Sequence, residues 1–230
     1  MDLGEYHEFQ LNAYGESRAF LCDKLFDDSA EYVGVVTASW NNKYKGFNPI
    51  DEFHPLSPTN YYGYTKLVIE ENLKWFSNLK EMNYASLRYF NAAGYDLNKR
   101  VKGLEIDPQN LIPLIMEVAI GKRQKIEIFG NDYDTNDGTG VRDYVHVSDL
   151  ANIHLQSLDY LIRTNQSNIF NCGYGKGYSV KEVVDITNKI TGGAIKFEYG
   201  KRRLGDAENL VSNTSKFNLC IEWIPKYNNL

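Results

Sequence analysis

The sequence predicts an α/β fold, on three observations. Strand-like runs alternate with helix-like stretches along most of the chain. The helix-like stretches carry apolar residues at three- and four-residue steps, and the strand-like ones at every second residue. Start and stop signals flank several of them. In chain order, Tyr6 to Phe26 has patchy helical spacing, and Tyr32-Val33-Gly34-Val35-Val36 looks like a strand. The stretch 41–60 holds Pro49, Pro55 and Pro58 and reads as turns. The clearest helix runs from Tyr62 to Lys80, where Tyr62, Lys66, Ile69, Leu73 and Phe76 step onto one expected core face. Ala85 to Phe90 reads as a strand. Leu111 to Ile120 reads as a helix, with Pro113 tolerated in its first turn and Gly121 as its stop. Lys125 to Phe129 suits a strand, Ser148 to Ile162 a helix, and Phe170 to Gly173 a strand. Ser179-Val180-Lys181-Glu182 forms a capping box ahead of Val183, Val184, Ile186 and Ile190. Ile195, Phe197 and Tyr199 alternate as in a half-buried strand.

Composition narrows the function classes. With 43% hydrophobic residues among 230, the chain can bury a sizeable core. A formal net charge of -5 disfavours a nucleic-acid binder, which would carry a basic face. No apolar run reaches the roughly 18 residues of a membrane span, and no signal-like segment follows Met1, so a soluble, cytoplasmic protein without membrane attachment is expected. Cys22, Cys172 and Cys220 are widely spaced and lack metal-like clustering, so they read as reduced core thiols. His146 and His154 lack metal-ligand spacing and read as structural, and no metal site is expected.

The chemistry sits on one helix face. Tyr62-Gly63-Tyr64-Thr65-Lys66 puts a phenol and an ammonium one turn apart. A bare Y-x-x-x-K is ordinarily a core-edge tyrosine and a lysine reaching for water. Here the lysine shares its stripe with core-facing residues, so it needs a polar partner, and a phenol and a cofactor ribose would provide one. The ammonium also stabilises phenolate, drawing a tyrosine from about 10 toward neutral pH, where it works as acid and base. No G-x-G-x-x-G loop follows a leading strand. The nearest mimic, Gly173-x-Gly175-x-Gly177, reads as a turn before the capped helix.

From Pro58 to Lys66 the chain reads P-T-N-Y-Y-G-Y-T-K, which resembles the P-T-N-P-Y-G-x-T/S-K signature of the extended short-chain dehydrogenases, with Tyr61 in place of the proline. Four further segments are similar to the UDP-sugar 4-epimerases of that superfamily. They are Arg88 to Gly94, Asn110 to Pro113, Ile128 to Val147, and the pair Gly177 to Val180 with Arg202 to Asp206. The resemblance covers Asn12 to about Tyr227 and implies an incomplete Rossmann-type parallel sheet with its first strands missing, plus a smaller α/β substrate-binding domain. The implied division is 1–96 for the remnant of the NAD-binding domain and 97–230 mainly for the UDP-sugar domain, with segments around 125–150 returning to the first. About three βα units, on the order of 100 residues, are expected to be missing ahead of Asn12.

The resemblance also implies roles. Tyr62 is the acid/base for the sugar 4-hydroxyl, and Lys66 holds the nicotinamide ribose. Ser39, or alternatively Thr37, bonds the same hydroxyl, and Asn12 lies under the cofactor, NAD. Tyr89 lies beside the nicotinamide, while Phe90, Asn91, Asn110 and Leu111 face the sugar and its phosphates. Phe129 packs near uracil, Arg142 and Arg203 grip the diphosphate, and Asp206 accepts from the ribose or uridine. Leu210 occupies a gate position where a side chain smaller than tyrosine would admit N-acetylated sugars. Arg88 is expected to be structural. The implied activity is NAD-dependent interconversion of UDP-glucose and UDP-galactose through a 4-keto sugar, by a homodimer. Two alternatives stand beside it: a fragment that binds UDP-sugar at most, and a sister enzyme such as a dehydratase.

Overall fold

A computed structural model describes residues 6–9, 19–22 and 32–36 as backbone, and 49–58, 60–100, 107–203 and 205–229 in full. The first sheet is parallel, with strands β3 (Tyr32–Val36), β4 (Asn83–Tyr89) and β8 (Asn168–Cys172) in that order. The interior of β4 is buried on successive residues, as expected for a parallel strand covered on both faces. Helix α1 (Tyr61–Lys80) precedes β4, and α3 (Val147–Thr164) precedes β8, giving right-sized crossovers between parallel neighbours. The core here joins Ala85 and Leu87 of β4, Phe170 of β8 and Ile153 and Leu161 of α3 to Phe217 of α5 (Ser215–Cys220).

A second sheet is built on β7 (Val141–His146). Strand β5 (Asn91–Ala93) and strand β11 (Asn209–Leu210) pair with it in parallel, and β9 (Gly177–Ser179) pairs antiparallel. A parallel pair of β6 (Ile126–Phe129) and β10 (Phe197–Gly200) stands beside α2 (Leu111–Ala119) and α4 (Val180–Ile190). Ile115, Val118, Ile128, Tyr144, Val183 and Val184 form its core. The capping box at the head of α4 forms as expected, with the Ser179 Oγ accepting from Glu182 N at 2.9 Å and the Glu182 carboxylate accepting from Ser179 N at 2.6 Å.

Two expectations need correction. The stretch 6–26 was expected to be helical, but Tyr6–Phe9 (β1) pairs antiparallel with Ala19–Cys22 (β2). Four-residue runs hold too few positions to separate the two periodicities, so strand pairing decides. Phe76 was expected in the core and is 55% exposed, while the buried stripe of α1 is Lys66, Glu70 and Leu73. At about 100° per residue, Phe76 has turned to the edge of that stripe. Val145 of β7 and Leu150 of α3 pack in the core of the first sheet with Ala85, Leu87 and Phe170, ahead of β8, which pairs with β4.

Candidate active site

Helix α1 starts where Asn60 caps it, the Asn60 Oδ1 accepting from Gly63 N at 2.8 Å. That start fixes the rotation of the helix and sends Tyr62 and Lys66 the same way. The Lys66 Nζ lies 4.9 Å from the centroid of the Tyr62 ring, a cation–π contact, and Lys66 is only 5% exposed. Burial lowers the Lys66 pKa from its ordinary value. A largely buried lysine facing a phenol one turn away fits a site that takes a hydroxyl-bearing ligand, such as a ribose.

One turn further along, Glu70 is fully buried and takes a bidentate grip from Arg88, Nε to Oε1 at 2.8 Å and Nη2 to Oε2 at 2.7 Å. Ser86 Oγ adds a bond to Oε1 at 2.8 Å. This set locks α1 to β4, so Arg88 is structural as expected. Glu70 went unnoticed in the sequence, although its place four residues after Lys66 put it on the same face.

The second group gathers around β7. Arg142 Nη2 donates to Asp206 Oδ1 at 2.9 Å and Nη1 to the Val141 carbonyl at 2.8 Å. Leu210 stands opposite Arg142 in the parallel pairing of β11 with β7. The Arg203 guanidinium lies 3.8 Å over the Phe129 ring at the end of β6, and Asp206 N donates to the Arg203 carbonyl at 3.2 Å. Four residues spread over 129–206, Phe129, Arg142, Arg203 and Asp206, are therefore linked into one group of two guanidiniums, one carboxylate and one ring. Such a set suits an anionic group joined to a planar base.

The remaining positions lie between and beside these groups. Tyr89 closes β4, half-buried against the first core, with its ring 6.5 Å from that of His154. Phe90 and Asn91 follow directly, and β5 lays Asn91 beside Tyr144, two residues after Arg142. Through this step, the strand locked to α1 hands the chain to the sheet that carries Arg142. Burial pushes the Tyr144 phenol up to about 12. Asn110 is exposed at the N-cap of α2 without a side-chain capping bond, and Leu111 packs on the second core. Asn12, Thr37 and Ser39 lie outside the described residues.

Gly173 to Gly177 forms a turn, not a phosphate cradle. A Cβ at Gly173 would lie 2.3 Å from Ser212 Oγ and 2.5 Å from the Asp143 carboxylate, so the space is filled by protein. His146 accepts from Ser148 N at 3.1 Å as the cap of α3, and His154 meets the Leu150 carbonyl at 2.7 Å. Both are structural. Cys172 is buried and free, and no helix among the described residues is long and apolar enough to cross a membrane.

The sequence profile described as the NAD dependent epimerase/dehydratase family matches residues 21–173. The chain is 44% identical to a UDP-glucose 4-epimerase of Halalkalibacterium halodurans over 182 residues, covering 79% of this chain and 54% of that protein. It is similar to the UDP-Glc/GlcNAc 4-epimerase of Campylobacter jejuni, with 40% identity and a TM-score of 0.68 over 86% of this chain and 60% of that one. It is also similar to the Brucella ovis UDP-glucose 4-epimerase solved with NAD, with 31% identity and a TM-score of 0.80 over 86% of this chain and 61% of that one. The chain spans about half the length of the curated relatives it matches.

Proposed function

Because the chain belongs to the NAD dependent epimerase/dehydratase family, we propose that it carries the proton-transfer and nucleotide-holding parts of a UDP-glucose 4-epimerase, acting on UDP-glucose and UDP-galactose through a 4-keto sugar. The observation that carries this is the Lys66 side chain, 5% exposed, with its Nζ held 4.9 Å from the centroid of the Tyr62 ring one helical turn away. NAD, when bound, would accept the hydride from C4 and return it. Lys66 would hold the nicotinamide ribose, with Tyr89 beside the nicotinamide and Asn12 and Ser39 or Thr37 completing the surroundings.

Tyr62 takes the 4-hydroxyl proton and gives it back, with the Lys66 ammonium one helical turn away. Arg142 and Arg203 hold the diphosphate, Phe129 lies along uracil, and Asp206 shares itself between Arg142 and the ribose. Anchoring at that end leaves the sugar free to present either face, so the fixed contacts supply positioning and only the moving end reacts. Phe90, Asn91, Asn110 and Leu111 line the path between the two ends. The division into an NAD-binding remnant before residue 97 and a UDP-sugar part after it goes with this reading, as do a homodimer and a cytoplasmic setting.

The test is purification of the chain, release of any bound NAD by denaturation, and conversion of UDP-galactose with NAD supplied. Tyr62→Phe is expected to lower turnover by about 10²- to 10⁴-fold. Turnover that survives this change removes Tyr62 from the chemistry. UDP-N-acetylgalactosamine in the same assay reads the gate proposal for Leu210, which fails if that substrate is untouched while UDP-galactose is converted. A second reading, UDP-sugar binding without turnover, rests on Phe129, Arg142, Arg203 and Asp206 alone. UDP binding without retained NAD or conversion would select it.

A further inference from the structure

The loop 130–140 lies within the segment Ile128 to Val147 and reads D-Y-D-T-N-D-G-T from Asp132 to Thr139, yet no role in the proposed chemistry falls to it. It is tightly self-bonded: Tyr133 N donates to the Gly138 carbonyl at 2.9 Å, and Thr135 Oγ1 to the Thr139 carbonyl at 2.7 Å. Its far end is pinned to α4, where Ser179 Oγ donates to Asp137 and Val180 N to the Gly140 carbonyl at 3.0 Å. Its near end meets Arg202. The Arg202 Nε donates to Asp132 Oδ1 at 2.6 Å, a second guanidinium nitrogen reaches the Asp132 carbonyl, and Cζ lies 4.1 Å over the Tyr133 ring.

Two details show that this contact is built in. Gly130 has φ +90, and a Cβ there would lie 2.6 Å from Tyr133 Cε2 and 2.8 Å from Arg202 Cγ, so only glycine leaves room for both. The next residue along, Arg203, lies on a different ring, Phe129, on the near side of Gly130. Arg202 and Arg203 thus straddle Gly130, one on Tyr133 and the other on Phe129.

We propose that Arg202 and Asp132 form a clasp that holds the loop 130–140 against the segment 200–206, and so positions Arg203 and Asp206 for the nucleoside diphosphate. Neither clasp residue needs to touch the ligand. The pair is solvent-exposed, 42% for Arg202 and 69% for Asp132, and such pairs add little to stability. Opening it should leave the fold intact and take away orientation, and a small misplacement of anchoring groups is costly to binding.

This inference rests on the nucleotide reading above, and the test separates the two. Binding of UDP is measured by calorimetry for the whole chain, for Arg202→Met, for Asp132→Asn and for the double variant. Each single change is expected to weaken UDP about tenfold, with the double variant no weaker than either, because one clasp is lost in all three. Without ligand, the Tyr133 and Gly138 amides should exchange faster with solvent in Arg202→Met, while Tm stays nearly constant. Wild-type affinity in Asp132→Asn, losses that add in the double variant, or unaltered exchange overturns the clasp while the nucleotide reading stands. Absence of UDP binding by the unmodified chain overturns both.

Discussion

On the proposed function, Lys66 is one side chain that is costly to the fold and needed by the site. It is 5% exposed, has the Tyr62 ring as a contact of its ammonium, and has its pKa lowered by desolvation. Because the folded-state pKa lies below the unfolded one, the unfolded chain binds more protons between the two, and stability rises with pH across that window. The penalty is therefore complete below the folded pKa and fades as pH climbs to the ordinary lysine value. Lys66→Met should stabilise the ligand-free protein by about 1–3 kcal/mol at neutral pH, with a smaller gain near pH ~10. On the proposed function it should also remove any NAD retention and turnover. Thermal melts at the two pH values check the first part, and a lower Tm for the variant would mean that the ammonium is well satisfied in the fold.

The head of α4 is the element where a local signal and a distant contact coincide. Ser179 caps the helix through Glu182, and its hydroxyl also donates to Asp137 of the loop 130–140. Burial raises the Asp137 pKa, but the bonds from Ser179 and Thr139 outweigh it, so the net shift is downward. The resulting stability is present above the ordinary aspartate range and is lost as pH falls through the folded value. Ser179→Ala should cost about 1–2 kcal/mol at neutral pH and should flatten the loss of stability on acidification. Denaturant titrations at pH 7 and in the acid limb measure both. An unchanged acid limb would place the sensitivity elsewhere.

At the scale of the molecule, Asp143 joins the two sheets. It lies on β7 of the second sheet, fully buried, and accepts from the Tyr174 and Gly175 amides at 3.0 Å each, in the turn leaving β8 of the first. It also accepts from Ser212 N at 3.2 Å and Oγ at 2.5 Å, just past β11. Ile50 ties in from the other direction, donating to the Val211 carbonyl at 2.8 Å and accepting from Asn171 Nδ2 at 2.8 Å. Asp143→Ala strands several buried donors at once, and should cost more than about 3 kcal/mol. It should also broaden urea unfolding as the sheets part at different concentrations. A sharp transition with a loss under about 1 kcal/mol would deny Asp143 this joining role.

Much was legible along the chain because the signals are local. The period of α1, the Ser179 capping box, the strand pattern of β3 and β4 and the one-turn spacing of Tyr62 and Lys66 each depend on residues within a few positions of one another. The motifs also carried the resemblance that names Phe129, Arg142, Arg203 and Asp206 as one group. Strand partners, the two-residue strand β11, the buried pairing of Glu70 with Arg88 and the clasp of Arg202 on Asp132 were decided only in three dimensions. The reason is physical. A helix satisfies its backbone from its own neighbours, whereas a strand or a buried charge is settled by whichever distant partner desolvates it and completes its hydrogen bonds.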